Sequence, residues 1–391
     1  MPSLSTHWDS QRDPEKAPLP PRHGGNRDWA AQLAHCSASA ILDFSANLNP
    51  FGLPDSVRQA LQKALADPLA AAVSLYPDPS SCLLRQALSD FYGVDPDWLI
   101  VGNGAAELLT WAAREAAQTQ ATVLPVPAFP DYQRALLSAG ASVVLLPLNW
   151  LAGSHPVGSL SDLLDPWLKS APLSRTLWLN NPHNPTGYLW RREEILPLIP
   201  LFERVVVDEA FMDFLPPAPR GNARGSSQSL LQDVPHFPQL IVVRSLTKFY
   251  ALAGLRIGFA VGHPAIWQRW QQWRDPWSVN GLATIAAQAA LADHAYQQQT
   301  YDWIPSARQH LYAGLAQLPG CRPLASSANF ILTHTSASSL ELQRFLLQTQ
   351  QILIRDCTSF SGLGSHYFRV AVRTIGDHQR LLEGCQQFLA L

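Results

Sequence analysis

The sequence predicts an α/β protein: a large domain built on a mostly parallel sheet covered by helices, followed by a smaller α+β domain. Short apolar segments alternate with helical segments between residues 99 and 207, a rhythm typical of parallel strands joined by helices. Glycine or polar residues directly follow several of the apolar segments. From residue 282 onward a helix-rich stretch precedes three strand candidates and a closing helix, which indicates a second domain.

In order, a short helix is expected near residues 27–35, and the loop 45–52 should follow a short strand because it combines asparagines, a proline and a glycine. Helical spacing predicts further helices at 54–66 and 80–92. In the large domain, apolar segments predict strands at 99–101, 122–126, 142–147, 176–179, 204–207 and 240–243. Helices are expected between them, at 108–117, 131–139 and 191–196. The second domain should contain strands at 329–333, 352–354 and 367–372 and a helix at 377–389.

We divide the 391 residues into four parts. They are a flexible leader at 1–22, an N-terminal segment at 23–52 that contributes to the small domain and the active site, the large domain at 53–280 and the small domain at 281–391. The leader lacks the apolar centre of a secretion signal.

The composition argues against a nucleic-acid-binding, a membrane-bound or a metal-binding protein. Charged residues are 15% of the chain, the net charge is -2 and the pI is near 6.6, so neither nucleic acid nor a membrane is expected as a partner. No apolar run approaches the roughly 18 residues that cross a bilayer. The five scattered cysteines lack metal-ligand spacing, so we expect reduced thiols, a cytoplasmic location and no metal site.

One lysine has an unusual context. Lys248 is one of only four lysines, and it follows a predicted buried strand. Ser245, Thr247 and Arg256 around it can bind an anion. A lysine amine forms an imine with an aldehyde, as some covalent cofactors require. Taken alone, the segment would favour an ordinary surface lysine after a strand.

A second anion site is predicted where the strand at 99–101 runs into Gly102-Asn103-Gly104 and then a helix. The free N–H groups of Ala105 and Ala106 would point at the anion, and Gly104 would let it approach. Such glycine turns are common, so this signal is weak by itself.

The ordered set of motifs is more specific than any one of them. Asn181 to Gly187 reads NPHNPTG, Asp208 opens DEA, and Ser245 to Lys248 reads SLTK, with Arg256 eight residues later. This series resembles the pyridoxal-phosphate-dependent aminotransferase superfamily of the aspartate aminotransferase fold, and the resemblance covers nearly the whole chain after the leader.

The resemblance implies the roles of the cofactor-binding residues. Lys248 would carry the cofactor, Asp208 would pair with its pyridine nitrogen, Asn184 would donate to its phenolic oxygen and Phe129 would stack on the ring. Its phosphate would be held by Gly104, Ala105, Ala106, Ser245, Arg256 and, from a second subunit, Tyr76. The last residue implies a homodimer.

The resemblance also implies a substrate site. Arg369 matches the arginine that grips the substrate carboxylate, a bidentate task for which a guanidinium is suited. Arg355, His23 and Arg373 are expected at a substrate phosphate, and a structural salt bridge is the less favoured alternative for Arg373. Asn47 and Asn49 complete the predicted substrate-binding set: His23, Asn47, Asn49, Arg355, Arg369 and Arg373.

The layout is similar to the histidinol-phosphate aminotransferase branch. Three stretches resemble the threonine-phosphate decarboxylases of cobalamin biosynthesis: His23 to Asn26, Asp43 to Gly52 and Ile354 to Thr374. Phe211, where many relatives carry a tyrosine, fits the same group. The implied substrate is a phosphorylated amino acid, L-threonine O-3-phosphate, which would be decarboxylated. The alternatives are a histidinol-phosphate aminotransferase using 2-oxoglutarate and a binding protein without catalysis.

Overall fold

The computed structural model describes residues 23–69, 71–148, 159–169, 174–217 and 225–390, and the predicted leader lies outside them. The strands in chain order are β1 Leu42–Asp43, β2 Leu99–Gly102, β3 Ala121–Val126, β4 Val143–Pro147, β5 Arg175–Asn180, β6 Arg204–Asp208, β7 Leu240–Ser245, β8 Gly258–Val261, β9 Cys321–Pro323, β10 Phe330–Thr335, β11 Ile352–Leu353, β12 Arg355–Asp356 and β13 Tyr367–Ala371. The α-helices are α1 Arg27–Ala34, α2 Asp55–Ala66, α3 Ala71–Ser74, α4 Cys82–Tyr92, α5 Ala105–Ala116, α6 Pro130–Ser138, α7 Leu160–Leu168, α8 Arg192–Ile195, α9 Leu246–Phe249, α10 Pro264–Gln271, α11 Gly281–Ala292, α12 His294–Gln317, α13 Ser339–Gln350 and α14 Ile375–Leu389.

A seven-stranded sheet lies at the centre of the region predicted as the large domain. Its strand order is β2-β8-β7-β6-β5-β3-β4. Every neighbouring pair is parallel except the two that involve β8. The prediction of a mostly parallel sheet is therefore confirmed. Strand β8 was missed because its four residues follow closely on the Lys248 segment and carry no alternation of their own.

Both faces of this sheet are buried, which explains why its strands read as continuous apolar runs. Along β6, Val206 packs in a cluster with residues of α5, α6 and α10, whereas Val205 and Val207 belong to the core on the opposite face. The alternation follows from the two-residue period of a strand.

A second, antiparallel sheet has the order β12-β13-β10-β9 and packs with α12, α13 and α14. The strand predicted at 352–354 corresponds to β11, and a further short strand, β12, follows it at residues 355–356. Strand β11 pairs in parallel with β1, so that Leu42 faces Ile352 and Asp43 faces Leu353. The N-terminal segment is thereby tied to the C-terminal part of the chain. The boundaries proposed at residues 52 and 280 stay a prediction.

The sheet topology determines where polar side chains meet. Strands β2, β3, β5, β6 and β7 all run in the same direction, because β8 is antiparallel to both β2 and β7. Their carboxyl ends therefore lie on one edge, where Asn180 faces Asp208 and Asp208 faces Val243. Ligands of such sheets bind beyond this edge. None of the helices in the described ranges is both long and apolar enough to cross a membrane.

Candidate active site

A cavity of about 220 Å³ opens at the carboxyl edge of the large sheet. Most of the residues predicted from sequence line it: His23, Asn47, Ala105, Ala106, Phe129, Asn184, Asp208, Ser245, Lys248, Arg256 and Arg369. A larger groove of about 560 Å³ beside β2 and α10 shares none of these residues. The smaller cavity is the candidate active site because its side chains combine a lysine, a carboxylate and two arginines.

Lys248 lies in the short helix α9, directly after β7. Ser245 ends the strand, and its hydroxyl accepts a hydrogen bond from the Thr247 N–H at 3.4 Å. Loss of solvation lowers the pKa of Lys248 to about 8, and the positive charges of Arg369 and Arg256 act in the same direction, while Asp208 opposes them. The amine therefore loses its proton closer to neutral pH than an exposed lysine does, as a nucleophile requires.

Asp208 ends β6 and is held by two donors. Its Oδ1 accepts from the Ala210 N–H at 2.9 Å and its Oδ2 from the Tyr132 hydroxyl at 2.6 Å. Burial raises the pKa of Asp208, against the opposing effects of these hydrogen bonds and of Lys248. A protonated pyridine nitrogen would supply the close cation that this buried carboxylate needs.

Tyr132 is a site residue that the sequence reasoning missed. It lies in α6, three residues after Phe129, with the two rings packed edge to face at 5.4 Å. Burial raises the pKa of Tyr132 well above its usual value, so the hydroxyl stays protonated and donates to Asp208. Its position three residues after Phe129 indicated that it lies near the predicted ring-stacking residue, but not that it binds Asp208.

The anion site predicted from the sequence lies at the N-terminus of α5, and its role in holding a phosphate stays a prediction. Gly104 has a φ of +77°, and a Cβ placed on it would lie 2.5 Å from Arg256 Nη2, so only glycine allows the guanidinium to approach this closely. The Ser245 and Thr247 hydroxyls lie 2.7 Å apart, and both residues line the same cavity as Ala105 and Ala106. Backbone N–H groups, hydroxyls and a guanidinium are the groups that bind a phosphate.

Arg369 connects the small sheet to the loop after β5. It lies on β13, is 6% exposed, and donates to Asn184 Oδ1 and to the Ser45 carbonyl oxygen at 3.2 Å. Because the Asn184 oxygen is occupied, its NH₂ group is the part that can donate to a ligand. Burial lowers the pKa of Arg369 to about 10. Its Nε has no hydrogen-bond partner among the described residues, so the guanidinium retains a donor for an anion.

Of the two asparagines predicted at the substrate site, Asn47 and Asn49, only Asn47 lines the cavity. Asn47 lines the cavity, and its buried Oδ1 has no hydrogen-bond partner in the described part of the chain. Asn49 points away from the cavity: its amide donates to the Phe249 carbonyl at 3.0 Å and to Thr300 Oγ1 at 2.8 Å. Its N–H also donates to the Lys248 carbonyl at 3.1 Å. Asn49 thus holds the backbone of Lys248 and Phe249 in place and does not contribute a side chain to the cavity.

The remaining predicted residues do not line the cavity in this single chain. Arg355 is buried next to Arg369, its partner on the neighbouring strand, and donates to Ser359 Oγ at 2.6 Å. Arg373 forms a salt bridge with Asp377 at 3.1 Å, the alternative considered from the sequence. Tyr76 is 81% exposed and stacks against Trp277 with ring centroids 4.6 Å apart. A role for Tyr76 at the phosphate would require a second subunit.

The site as a whole fits pyridoxal 5'-phosphate. The phosphate would lie at the α5 N-terminus with Arg256, the ring against Phe129, the ring nitrogen at Asp208 and the aldehyde at Lys248. When bound, the cofactor supplies an aldehyde for the substrate amine and a ring that accepts an electron pair. Among the chain's own groups, Arg369 would orient the substrate and the Lys248 amine would move protons.

Comparisons with known proteins agree with this arrangement. Residues 39–388 match the family model of aminotransferase class I and II. The chain is 36% identical to a threonine-phosphate decarboxylase of Salmonella typhimurium, covering 94% of this chain and 96% of that protein. It is 31% identical to a histidinol-phosphate aminotransferase of Methanothermobacter thermautotrophicus, covering 88% and 87% of the two chains.

The fold is also found among solved structures. A histidinol-phosphate aminotransferase from Sinorhizobium meliloti, in complex with pyridoxal-5'-phosphate, superimposes with a TM-score of 0.79 at 24% identity and covers 99% of each chain. The family match, the curated relatives and the cavity lead to one conclusion. The chain belongs to the aminotransferase class I and II family of pyridoxal-phosphate-dependent enzymes.

Proposed function

We propose that the protein decarboxylates L-threonine O-3-phosphate to (R)-1-amino-2-propanol O-2-phosphate and carbon dioxide, as a step of cobalamin biosynthesis. The observation that carries this proposal is a pair of buried arginines. Arg355 and Arg369 are directly opposite each other on β12 and β13, so their side chains lie on the same face of the sheet. Two adjacent guanidinium groups suit a ligand with two anionic groups, a carboxylate and a phosphate.

The two arginines share an aromatic neighbour. The guanidinium carbons of Arg355 and Arg369 lie 5.6 and 5.9 Å from the centre of the Phe360 ring. In the proposal Arg369, which lines the cavity, holds the carboxylate, and Arg355 receives the phosphate with His23. Arg373 contributes positive charge from behind. The similarity to the Salmonella decarboxylase supports this assignment of substrate.

Decarboxylation breaks the bond between Cα and the carboxylate, and carbon dioxide leaves without the bonding electron pair. Cα then takes one proton, and Lys248 is the donor that we propose. The outcome depends on which Cα bond stands perpendicular to the cofactor ring. Arg369, fixed by Asn184 and Ser45, is the residue that would set this angle.

The second candidate is histidinol-phosphate aminotransferase activity with 2-oxoglutarate. The similarity to the Methanothermobacter enzyme favours it. The same arginines would serve its phosphate-bearing substrate, and Lys248 would remove the Cα proton instead of supplying one.

The proposed assembly is a cytoplasmic homodimer. All five cysteines are free thiols, in keeping with a reducing compartment. Several large apolar side chains near Tyr76 are strongly exposed in the single chain: Leu69, Val73, Leu75, Tyr76, Leu83 and Trp277. A patch of this kind is typical of a subunit interface.

A direct test of the function is carbon dioxide release from L-threonine O-3-phosphate by the cofactor-loaded protein without any keto acid. We expect steady release over many turnovers, and none from Lys248→Ala. No release by the wild type, together with glutamate formation from 2-oxoglutarate and an amine-bearing histidinol phosphate, would establish the aminotransferase instead. Turnover by Lys248→Ala would contradict the role of the lysine.

Arg355→Ala tests the phosphate site. We expect the KM for L-threonine O-3-phosphate to rise about 10- to 100-fold, because a charge-assisted hydrogen bond contributes roughly 1.5–3 kcal/mol. Binding of L-threonine, which lacks the phosphate, should be unchanged. Arg322→Ala, an exposed arginine on β9, is the matched control. An unchanged affinity for the phosphate ester in Arg355→Ala would show that the phosphate binds elsewhere.

The pH dependence of cofactor uptake tests the environment of Lys248. Since the lowered pKa is about 8, the rate at which cofactor-free protein takes up pyridoxal 5'-phosphate should rise with pH and level off above this value. Arg369→Gln removes a repelling charge, so the midpoint should move to higher pH. Arg322→Gln should not move it. A wild-type midpoint near 10 would mean that the amine is solvated like an exposed lysine.

Subunit complementation tests the role of Tyr76. Tyr76→Ala and Lys248→Ala should each be inactive or nearly so, but a refolded mixture should regain up to about a quarter of wild-type activity. Half of random dimers are mixed, and each mixed dimer contains one site with both residues intact. Sedimentation of each variant checks that dimers form. A dimeric mixture without recovered activity would place Tyr76 in its own subunit's site.

A further inference from the structure

The N-terminal turn, residues His23–Asn26, lies across one side of the active-site cavity. His23 lines the cavity, and its ring lies 5.6 Å from that of Phe129. Asn26 ends the turn by accepting a hydrogen bond from the Trp29 N–H at 3.0 Å, which caps α1. The turn is therefore anchored to α1 on one side and reaches the cofactor-stacking residue on the other.

Ser45 holds this turn by close packing and by a hydrogen bond. A Cβ placed on Gly24 would lie 2.3 Å from the Ser45 carbonyl oxygen, so no other residue fits there without displacing backbone. The Gly25 N–H donates to Ser45 Oγ at 2.8 Å. Gly25 has a φ of +87°, which a glycine adopts without strain.

Asp43 fixes Ser45 in turn. Its Oδ1 accepts from the Ser45 N–H at 2.7 Å and from the Ser45 hydroxyl at 2.6 Å. The Asp43 carbonyl accepts from Arg373 Nη1 at 3.2 Å, and the salt bridge to Asp377 holds Arg373 in place. Arg373 thus holds Asp43 from outside the cavity. Asp43 in turn fixes the position of Ser45, which lines the cavity.

The same serine also contacts the arginine of the small sheet. The Ser45 carbonyl oxygen accepts from Arg369 Nη2 at 3.2 Å, and it is the oxygen against which Gly24 packs. A movement of the turn would displace this oxygen, and a movement of Arg369 would strain the hydrogen bond to it. The positions of the turn and of the guanidinium are therefore mechanically linked through one peptide group.

We propose that Ser45, fixed by Asp43, is a positioning residue that couples closure of the N-terminal turn to carboxylate binding at Arg369. A carboxylate on Arg369 stabilises the closed turn, and the closed turn holds Arg369 in the orientation that binds the carboxylate. Such coupling is reciprocal, so a change in either partner must alter binding at the other. The inference rests on the proposed role of Arg369 at the substrate carboxylate.

If the turn only covered the substrate phosphate, changing it would not affect a ligand that lacks a phosphate. The proposed coupling to Arg369 predicts that it does. Gly24→Ala displaces the turn, and Ser45→Ala removes the hydroxyl that holds it. Each variant should weaken binding of L-threonine, which has a carboxylate but no phosphate, by about tenfold, because one or two hydrogen bonds are lost. Binding is measured as the change in cofactor absorbance when the holoenzyme is titrated with L-threonine and, separately, with its phosphate ester.

Three controls separate positioning from a general loss of structure. Gly376→Ala places a methyl group where no atom lies within 4 Å, and binding should not change. Ser45→Thr keeps the hydroxyl and should restore most of the affinity. The double variant Gly24→Ala/Ser45→Ala should bind L-threonine as tightly as the single variant that binds it less well. The losses should not add, because both changes act through the same contact with Ser45.

The outcomes are distinct. If Gly24→Ala and Ser45→Ala weaken only the phosphate ester, the turn serves the phosphate alone and the coupling to Arg369 does not exist. Additive losses in the double variant would also overturn it. Failure of the proposed decarboxylation would appear separately, as absent carbon dioxide release by a wild-type protein that still binds both ligands.

Discussion

Excess positive charge around one buried carboxylate governs the active site. Lys248, Arg256 and Arg369 line the same cavity, and Asp208 is the only carboxylate among its described lining residues. The two arginines help to lower the pKa of the lysine, so its amine is reactive near neutral pH. Anions must compensate this charge, and the cofactor phosphate and the substrate carboxylate are the anions that the geometry accommodates.

Much of this arrangement was predictable because strand ends are visible in the sequence. Asp208 and Ser245 end apolar runs, and parallel strands bring such ends to one edge. The resemblance then assigned roles to Lys248 and Asn184, whose neighbours in the cavity are now evident. The positions of Asn49 and Arg373 could not be predicted in the same way. Both lie in motifs near the site, but which side of the chain faces the cavity depends on pairings such as β1 with β11, between residues about 310 apart in sequence.

The hydrogen bond of Tyr132 to Asp208 shows a different limit of sequence reasoning. A buried tyrosine usually fills space, and nothing in the local pattern distinguishes packing from a contact 76 residues away. Its consequence is electrostatic. The hydroxyl stabilises the charged form of Asp208, so the carboxylate can remain ionised although burial raises its pKa. In the proposed arrangement an ionised Asp208 would pair with the pyridine nitrogen and favour its protonated form, on which the electron-accepting capacity of the cofactor depends.

Phe211 bears on the choice between decarboxylation and transamination. Many relatives have a tyrosine at this position, whose hydroxyl would bind the phenolic oxygen of the cofactor. Here the ring packs edge to face against Phe330 at 5.0 Å, and Arg369 lies 5.1 Å from the centre of Phe330. Phe211 has no hydroxyl to donate to a cofactor, and its ring packs against Phe330, the aromatic neighbour of the arginine that is proposed to bind the carboxylate. Asn184, the proposed donor to the phenolic oxygen, also accepts a hydrogen bond from Arg369. One asparagine would therefore link the cofactor ring to Arg369, the arginine proposed to set the angle of the carboxylate and thereby to select which Cα bond breaks.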